Sequence, residues 1–358
     1  MVESYFVSRF GKESTTRPIS VFRALATGFD RIAARPILIL PSLLLDVFLW
    51  FGPHLTIPTL IETMTTELMM PLSADPALGE QTAAIREALA AFVDRFNLFS
   101  SFSTLPAGMP FNLLFSVFST LLVGLPSLMA MRMPVASPLG SAAVLSLSNP
   151  QYVFLIWLGI TCMGVGAGVL YNRWLIWQVD PKARIGSVWR AWARLLTLAC
   201  LAYLIGTLVL ILTGLIASGQ GLIYIGMPLL FVAAVYLAFT PHAILRYQMG
   251  IWEALKQSLW FVRWNFIGAF GFIVTAFLLL WVSTAQVWSL PNEESWFNLL
   301  AILGHAFISA TILAGSYAFF QGRRQWLLAR IDEMRVRLNI DRPSSEVEDR
   351  PGDFQDKA

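Results

Sequence analysis

Asp46 is the residue whose type and position carry the most chemistry. It is the only charged residue between Pro36 and His54, a run otherwise built of apolar and small side chains. A carboxylate about ten residues into a membrane-length apolar segment costs about 3 kcal/mol or more, so it calls for a partner or a task. Three side chains in other apolar runs are of a type to answer it: Asn172, Arg173 and His305. Together with Asp46 they form a candidate intramembrane polar site. It can fix helix contacts through a hydrogen bond or ion pair, or it can bind and move a proton or cation. The remaining alternative places Asp46 towards lipid near the segment edge, with Arg173 snorkelling to its own end.

A second constellation is aromatic and basic. Trp174, Trp177, Trp189, Trp192, Trp252, Trp260 and Trp264 fall beside Arg184, Arg190, Arg194 and Arg263 at the ends of apolar runs. Tryptophan collects at membrane interfaces, so anchoring accounts for this pattern. The sharper alternative is a site for an anionic lipid headgroup made by Arg184, Arg190, Arg194, Arg263, Trp189 and Trp264. Reactive constellations are missing from the pattern. His54, His242 and His305 have no metal-ligand spacing, and no phosphate-binding loop or nucleophile elbow occurs. Gly164-Val165-Gly166-Ala167-Gly168 suits close helix packing, and Cys162 and Cys200 sit singly in apolar runs. The expectation is a chain that is not an enzyme and has no cofactor and no metal.

The elements that hold these residues follow from composition. Of 358 residues, 56% are hydrophobic and 13% charged, and the mean hydropathy is +0.65. Soluble domains carry about 25% charged residues, so the numbers indicate an integral membrane protein. A net charge of +3 gives no reason to expect nucleic acid as a partner. Seven stretches are long and apolar enough to cross: 36–54, 110–131, 152–177, 195–217, 221–241, 265–288 and 297–320. Segments 1–35, 178–194, 243–264 and 321–340 hold six, four, three and five Lys/Arg against three, one, one and two acids. Segment 56–151 instead has three Arg against six acids, and 289–296 has only Glu293 and Glu294. Basic loops stay cytoplasmic, so the crossings between basic segments must be even in number. The stretch 110–131, bounded by Pro106, Pro110 and Pro126, is therefore read as re-entrant or surface-lying.

The expected fold is an all-α six-transmembrane-helix bundle with both termini cytoplasmic. Residues 1–35 form a cytoplasmic N-terminus with an interfacial helix, and 36–320 the membrane domain with an extracytoplasmic insertion at 55–151. Within the insertion, Ile85, Leu89, Phe92, Val93 and Phe96 give residues 75–96 an amphipathic helical pattern. Residues 321–340 are expected to hold a separate amphipathic helix on the cytoplasmic surface, and 341–358 a disordered tail with six acids and three bases.

A short unit recurs: Ser20-Val21-Phe22-Arg23-Ala24-Leu25, Ser187-Val188-Trp189-Arg190-Ala191-Trp192 and Gly250-Ile251-Trp252-Glu253-Ala254-Leu255. Each copy predicts an interfacial helix ahead of a span. Stripes of Phe22, Leu25, Phe29, Ile32 and of Ile251, Leu255, Leu259, Val262 would sink into the acyl boundary. Breaks are expected at Pro36 and Asn265, whereas the second copy has no marked break.

The stretch Pro241-His242-Ala243-Ile244, followed by Gly250-Ile251-Trp252-Glu253-Ala254-Leu255-Lys256-Gln257-Ser258 and Val262-Arg263-Trp264-Asn265-Phe266, resembles a bacterial pattern. It is similar to uncharacterised six-helix membrane proteins related to the membrane domain of glycerophosphodiester phosphodiesterases. The resemblance covers residues 180–290 and, more loosely, the first unit. It implies the six-helix fold and a proline turn leading into the interfacial helix. It does not imply the phosphodiesterase activity, which resides in a separate barrel for which this chain lacks both length and residues.

These readings converge on a non-enzymatic polytopic protein of the bacterial inner membrane, a scaffold, accessory subunit or lipid-organising protein. Its expected partners are membrane lipids and a membrane-protein partner or a second copy. The alternative is a carrier or permease for a lipid or small amphipathic solute, with Asp46 as the coupling or binding residue.

Overall fold

The computed structural model describes residues 17–58, 63, 66, 87, 95–103, 124–181, 183, 186–221 and 225–340. The chain divides into two units, Ser20–Phe320 and Met1–Ile19 together with Gln321–Ala358.

Helix α1, Val21–Ala34, begins at Ser20, whose hydroxyl accepts the Arg23 N–H at 3.2 Å. It stops at Arg35 because Pro36 disfavours helical backbone in the residue before it. A 3₁₀ turn, Pro36–Ile39, leads into α2, Leu40–Phe51, and the two limbs are bent by 102°. After the insertion, which contributes the short α3 (Leu128–Arg132), come α4 (Pro150–Val179), α5 (Val188–Gly221), α6 (Met227–Leu237) and α7 (Thr240–Tyr247). The chain closes with α8 (Ile251–Trp264), α9 (Phe266–Val282), a π-helical extension Ser283–Trp288, and α10 (Asn298–Ile340).

Among the described residues, five helical segments are long and apolar enough to cross a membrane: Pro150–Val179, Val188–Gly206, Pro228–Tyr247, Phe266–Trp288 and Asn298–Ile331. The bent pair α1–α2 makes a sixth if it is counted as one span. Four of the seven apolar stretches fall on four of these segments, 36–54 falls on the bent pair, and 221–241 is shifted to Pro228–Tyr247. Of 110–131, residues 110–123 lie outside the described residues. The remainder is a turn followed by α3, which is too short to span. The amphipathic pattern over 75–96 also lies outside them, save Glu87, exposed Arg95 and buried Phe96.

The repeated unit has a structural counterpart. Its three copies begin their helices at Val21, Val188 and Ile251, one residue after Ser20, Ser187 and Gly250. The alanine at the fourth helical position, Ala24, Ala191 and Ala254, is 0% exposed in all three. Breaks occur at Arg35–Pro36 and Asn265, while α5 runs on unbroken.

Three expectations need correction. The stripe in α1 does not act as one face: Leu25 and Ile32 are buried with Ala24 and Gly28, whereas Phe22 and Phe29 are exposed. Gly28 lies directly against the backbone of Thr311 and Gly315, so the small residues set the buried face by letting α1 close on α10. A turn at Ala238–Phe239 separates α6 from α7, and Pro241 stands just after it and not within it. It sits in the first turn of α7, where a proline's missing N–H costs nothing, and the span continues to Tyr247. Residues 324–338 are part of α10, since Gln321-Gly322-Arg323-Arg324 contains no proline and mostly good helix formers.

The core gathers on α10. Phe319 and Phe320 pack with Phe239, Phe261 and Phe272, with ring centroids 4.9 Å apart for Phe239–Phe261 and Phe272–Phe319 and 4.8 Å for Phe261–Phe320. Edge and offset geometry adds about 0.5–1.5 kcal/mol per pair beyond apolar burial. By contrast α5 shows Leu201, Leu204, Ile205, Leu208 and Leu212 to its surroundings, as a lipid-facing helix does.

In the second unit, the Arg323 guanidinium donates to the Ile19 carbonyl at 2.6 Å, and Arg330 and Glu333 form an exposed ion pair at 3.0 Å.

Candidate functional site

The described residues of the insertion pack at the end of the Ser20–Phe320 unit that holds residues 288–298, the insertion end. Strand β1 (His54–Thr56) pairs in parallel with β4 (Val144–Ser146), and β2 (Ala136–Ser137) with β3 (Gly140–Ser141) in an antiparallel pair. Asn97 joins β1 to the 3₁₀ segment Leu98–Ser103 by accepting the N–H groups of Leu55 and Phe99, both at 3.1 Å. That segment lies on α4 at Gly164, where any side chain would meet the Phe102 backbone. Fourteen residues separate Gly164 from Pro150. At 1.5 Å per residue the insertion reaches about 21 Å along α4.

Asp46 is fully buried, and its carboxylate takes the N-terminus of α3. Oδ1 accepts from the Ser127 hydroxyl at 2.5 Å and the Met129 N–H at 2.9 Å, and Oδ2 from the Leu128 N–H at 3.2 Å. The Ser127 hydroxyl also accepts the Ala130 N–H at 3.0 Å. Three of the four orphan amides of this short helix are thereby satisfied.

Next to it, Arg132 ties the last hairpin to the insertion. It donates to the carbonyls of Trp288 and Pro291, each at 3.0 Å, and to Asn298 Oδ1 at 2.7 Å. Burial pulls its guanidinium below the usual arginine range, against the pull of the nearby Glu293 carboxylate. Glu293 accepts from Arg95 at 2.9 Å and from the Val135 N–H at 2.9 Å, while its carbonyl accepts the Trp50 indole N–H at 3.1 Å.

The candidate intramembrane residues do not form one site. Asn172 accepts from the Tyr317 hydroxyl at 3.0 Å and donates to the Gly168 carbonyl at 2.8 Å. Arg173 donates to the Gly186 carbonyl at 2.7 Å. His305, 2% exposed, has Thr284 Oγ1 3.4 Å from Nδ1 and Ser309 Oγ 3.2 Å from Nε2. None of these three bonds to Asp46. Its partners are mostly backbone amides, which supply the positive end of a helix without any side chain that could announce it.

The headgroup set is divided as well. Arg194 donates to the carbonyls of Gln248 and Met249 at 2.8 and 3.1 Å, and so caps the end of α7 instead of facing outwards. Arg190, Arg263, Trp189 and Trp264 are exposed, and Arg184 lies outside the described residues.

Sequence reasoning missed Ser127, Arg132, Asn298 and Asn97, the bond from Arg35 to Gln178 and the ion pair of Arg246 with Asp180. A signal existed for two of them. Ser127 precedes an apolar turn in the manner of an N-cap, and Arg95 and Arg132 are rare bases in a segment facing an acidic loop. Among the described residues no three His, Cys, Asp or Glu side chains gather as metal ligands. No family model, curated protein or solved structure matches the chain.

Proposed function

We propose that this chain is a non-enzymatic scaffold of the bacterial cytoplasmic membrane that organises lipid around three repeated helices. It crosses six times, with both termini cytoplasmic and the insertion end outside. The charge distribution supports the orientation, since the four basic segments then share one side.

One observation carries the lipid reading. At the second helical position of each repeat stands an aromatic side chain, Phe22, Trp189 and Trp252, exposed by 77, 75 and 68%. Two positions on, the alanine of each repeat is wholly buried. Each helix thus turns its alanine inwards and an aromatic outwards, followed in two copies by exposed Arg23 and Arg190. Aromatic rings at headgroup depth beside cations suit an anionic leaflet. The carrier reading built on Asp46 has less support, because the carboxylate is already committed to three donors inside the chain.

Native mass spectrometry of the protein extracted gently from its own membrane tests the proposal. Retained anionic phospholipid, reduced in a Trp189→Ala, Trp252→Ala, Arg190→Gln variant, is the expected result. Equal retention of neutral and anionic lipid by both proteins refutes it. A stoichiometric protein partner in the spectrum identifies the scaffolded complex.

A further inference from the structure

The most enclosed helix of the bundle carries a polar stripe. Asn298, His305, Ser309 and Ser316 on α10 are 1, 2, 0 and 0% exposed. Their spacings of seven, four and seven keep them within an arc of about 40° at 3.6 residues per turn. The eighteen steps from first to last cover about 27 Å, close to the roughly 30 Å of a hydrocarbon core. Each member meets a polar group from another element or its neighbour in the stripe. Asn298 meets Arg132, His305 meets Thr284, Ser309 meets His305, and Ser316 meets His242 Nε2 at 2.7 Å.

His305 is the unusual member because both ring nitrogens face hydroxyls, Thr284 on one side and Ser309 on the other. Thr284 reaches it from the π-helical segment Ser283–Trp288, and both Ser283 and Thr284 are buried there. A π turn inserts one residue into the helical register and re-aims the side chains, a distortion found frequently at functional sites. The ring's described hydrogen-bonding partners are these two hydroxyls, with no carboxylate or cation among them. The nearest charged contact on this stripe is Arg132 at Asn298, two turns away along α10.

We propose that this stripe is a gated proton path through the bundle, with His305 as its relay. This activity goes beyond the scaffold role and stands independently of it. The Thr284 hydroxyl passes its proton to form the Nδ1–H bond and takes another from water on its side, while the Nε2–H bond breaks as its proton passes to the Ser309 oxygen, whose own O–H bond then breaks to release a proton to water entering beyond it. Reversal of the ring tautomer restores the starting state, and water on each side is the only source and sink. Beyond Ser309 the path is dry, since Ile312 and Leu313 are 1 and 0% exposed and Ser316 lies seven residues further. That step, about 10 Å along the helix, conducts only when water enters it, which makes it the gate. Purely structural bonding would not need an imidazole here. Interhelical hydrogen bonds in membranes average about 0.6 kcal/mol, and a serine or asparagine provides as much.

The test uses the full chain in phosphatidylethanolamine–phosphatidylglycerol vesicles loaded with a pH-sensitive dye, driven by a valinomycin potassium potential. Acidification faster than in protein-free vesicles is expected, lost at least tenfold in His305→Asn and several-fold in Ser309→Ala. Ile312→Ser, which wets the dry step, is expected to raise the rate. Circular dichroism and size exclusion establish that each variant is folded. If His305→Asn fails to fold, the opposed effects of Ser309→Ala and Ile312→Ser decide. Rates equal to protein-free vesicles in both the wild type and Ile312→Ser overturn the proposal, as does a wild-type rate in folded His305→Asn. Lipid retention in native mass spectrometry is a separate readout, so either reading can fail alone.

Discussion

Replacing Asp46 separates a structural carboxylate from a transport group. In Asp46→Ala the Leu128 and Met129 amides lose their acceptor in a place fully shut from solvent, while the Ser127 hydroxyl can rotate. A buried donor left unpaired costs about 1–3 kcal/mol, so two of them give about 2–6 kcal/mol. Asp46→Asn keeps one carbonyl oxygen for Ser127 and Met129 but turns an NH₂ group towards the Leu128 N–H. One lost bond then costs about 1–3 kcal/mol. The expected order of stability is wild type, Asn, Ala. A thermal melt followed by intrinsic tryptophan fluorescence reads it, with Trp50, 1% exposed, next to this end of α2. Hydrogen exchange should show Leu128–Arg132 opening first. A melting profile of Asp46→Ala equal to wild type, with unchanged protection over Leu128–Arg132, would refute the assignment of Asp46 as the clasp of the insertion.

Four further outcomes follow from the packing and the polar end. Arg132→Met removes three charge-assisted bonds, and hydrogen exchange over 288–298 should rise with a loss of at least about 4.5 kcal/mol, at about 1.5–3 kcal/mol per bond. Phe261→Ala, at the centre of the aromatic cluster, should cost about 3–5 kcal/mol in a denaturation series. Gly28→Leu places carbon against the backbone of Thr311 and Gly315, so protease cutting within Val21–Ala34 should increase while α4 stays protected. Burial holds the His54 imidazole below its ordinary range near 6.5, so the unfolded segment binds protons more readily than the folded one. Protection of His54–Thr56 should therefore be flat above about pH 6.5 and fall as the pH drops below it. His54→Gln should remove that dependence.

What was legible in the sequence is what periodicity and composition encode. The repeat was visible as Ser-Val-Phe-Arg-Ala and its variants, and the helices start in register with it. Pro36 and Asn265 mark breaks because one blocks the preceding residue and the other leaves helical backbone itself, at φ −132°. The site was less legible because its partners are main-chain groups. The donors to Asp46 are mainly amides of residues 128 and 129, and Arg132 and Arg194 spend their guanidinium groups on carbonyls. Leucine 128 and methionine 129 look like filler until a helix starts there. The buried face of α1 was misjudged for a related reason. Hydrophobicity picks Phe22 and Phe29, but closeness of approach picks Ala24 and Gly28.

The clasp between Asp46 and Ser127 also sets a schedule for synthesis. The two residues are 81 positions apart in the chain. At about 5–20 residues per second, the ribosome needs about 4–16 s after making Asp46 before its partner exists. During that interval the first apolar segment stands at the bilayer with a carboxylate whose insertion costs about 3 kcal/mol. Until residues 127–129 are made, that carboxylate has none of the three donors that hold it in the folded chain, so the first apolar segment and the start of α3 can only reach their final packing together.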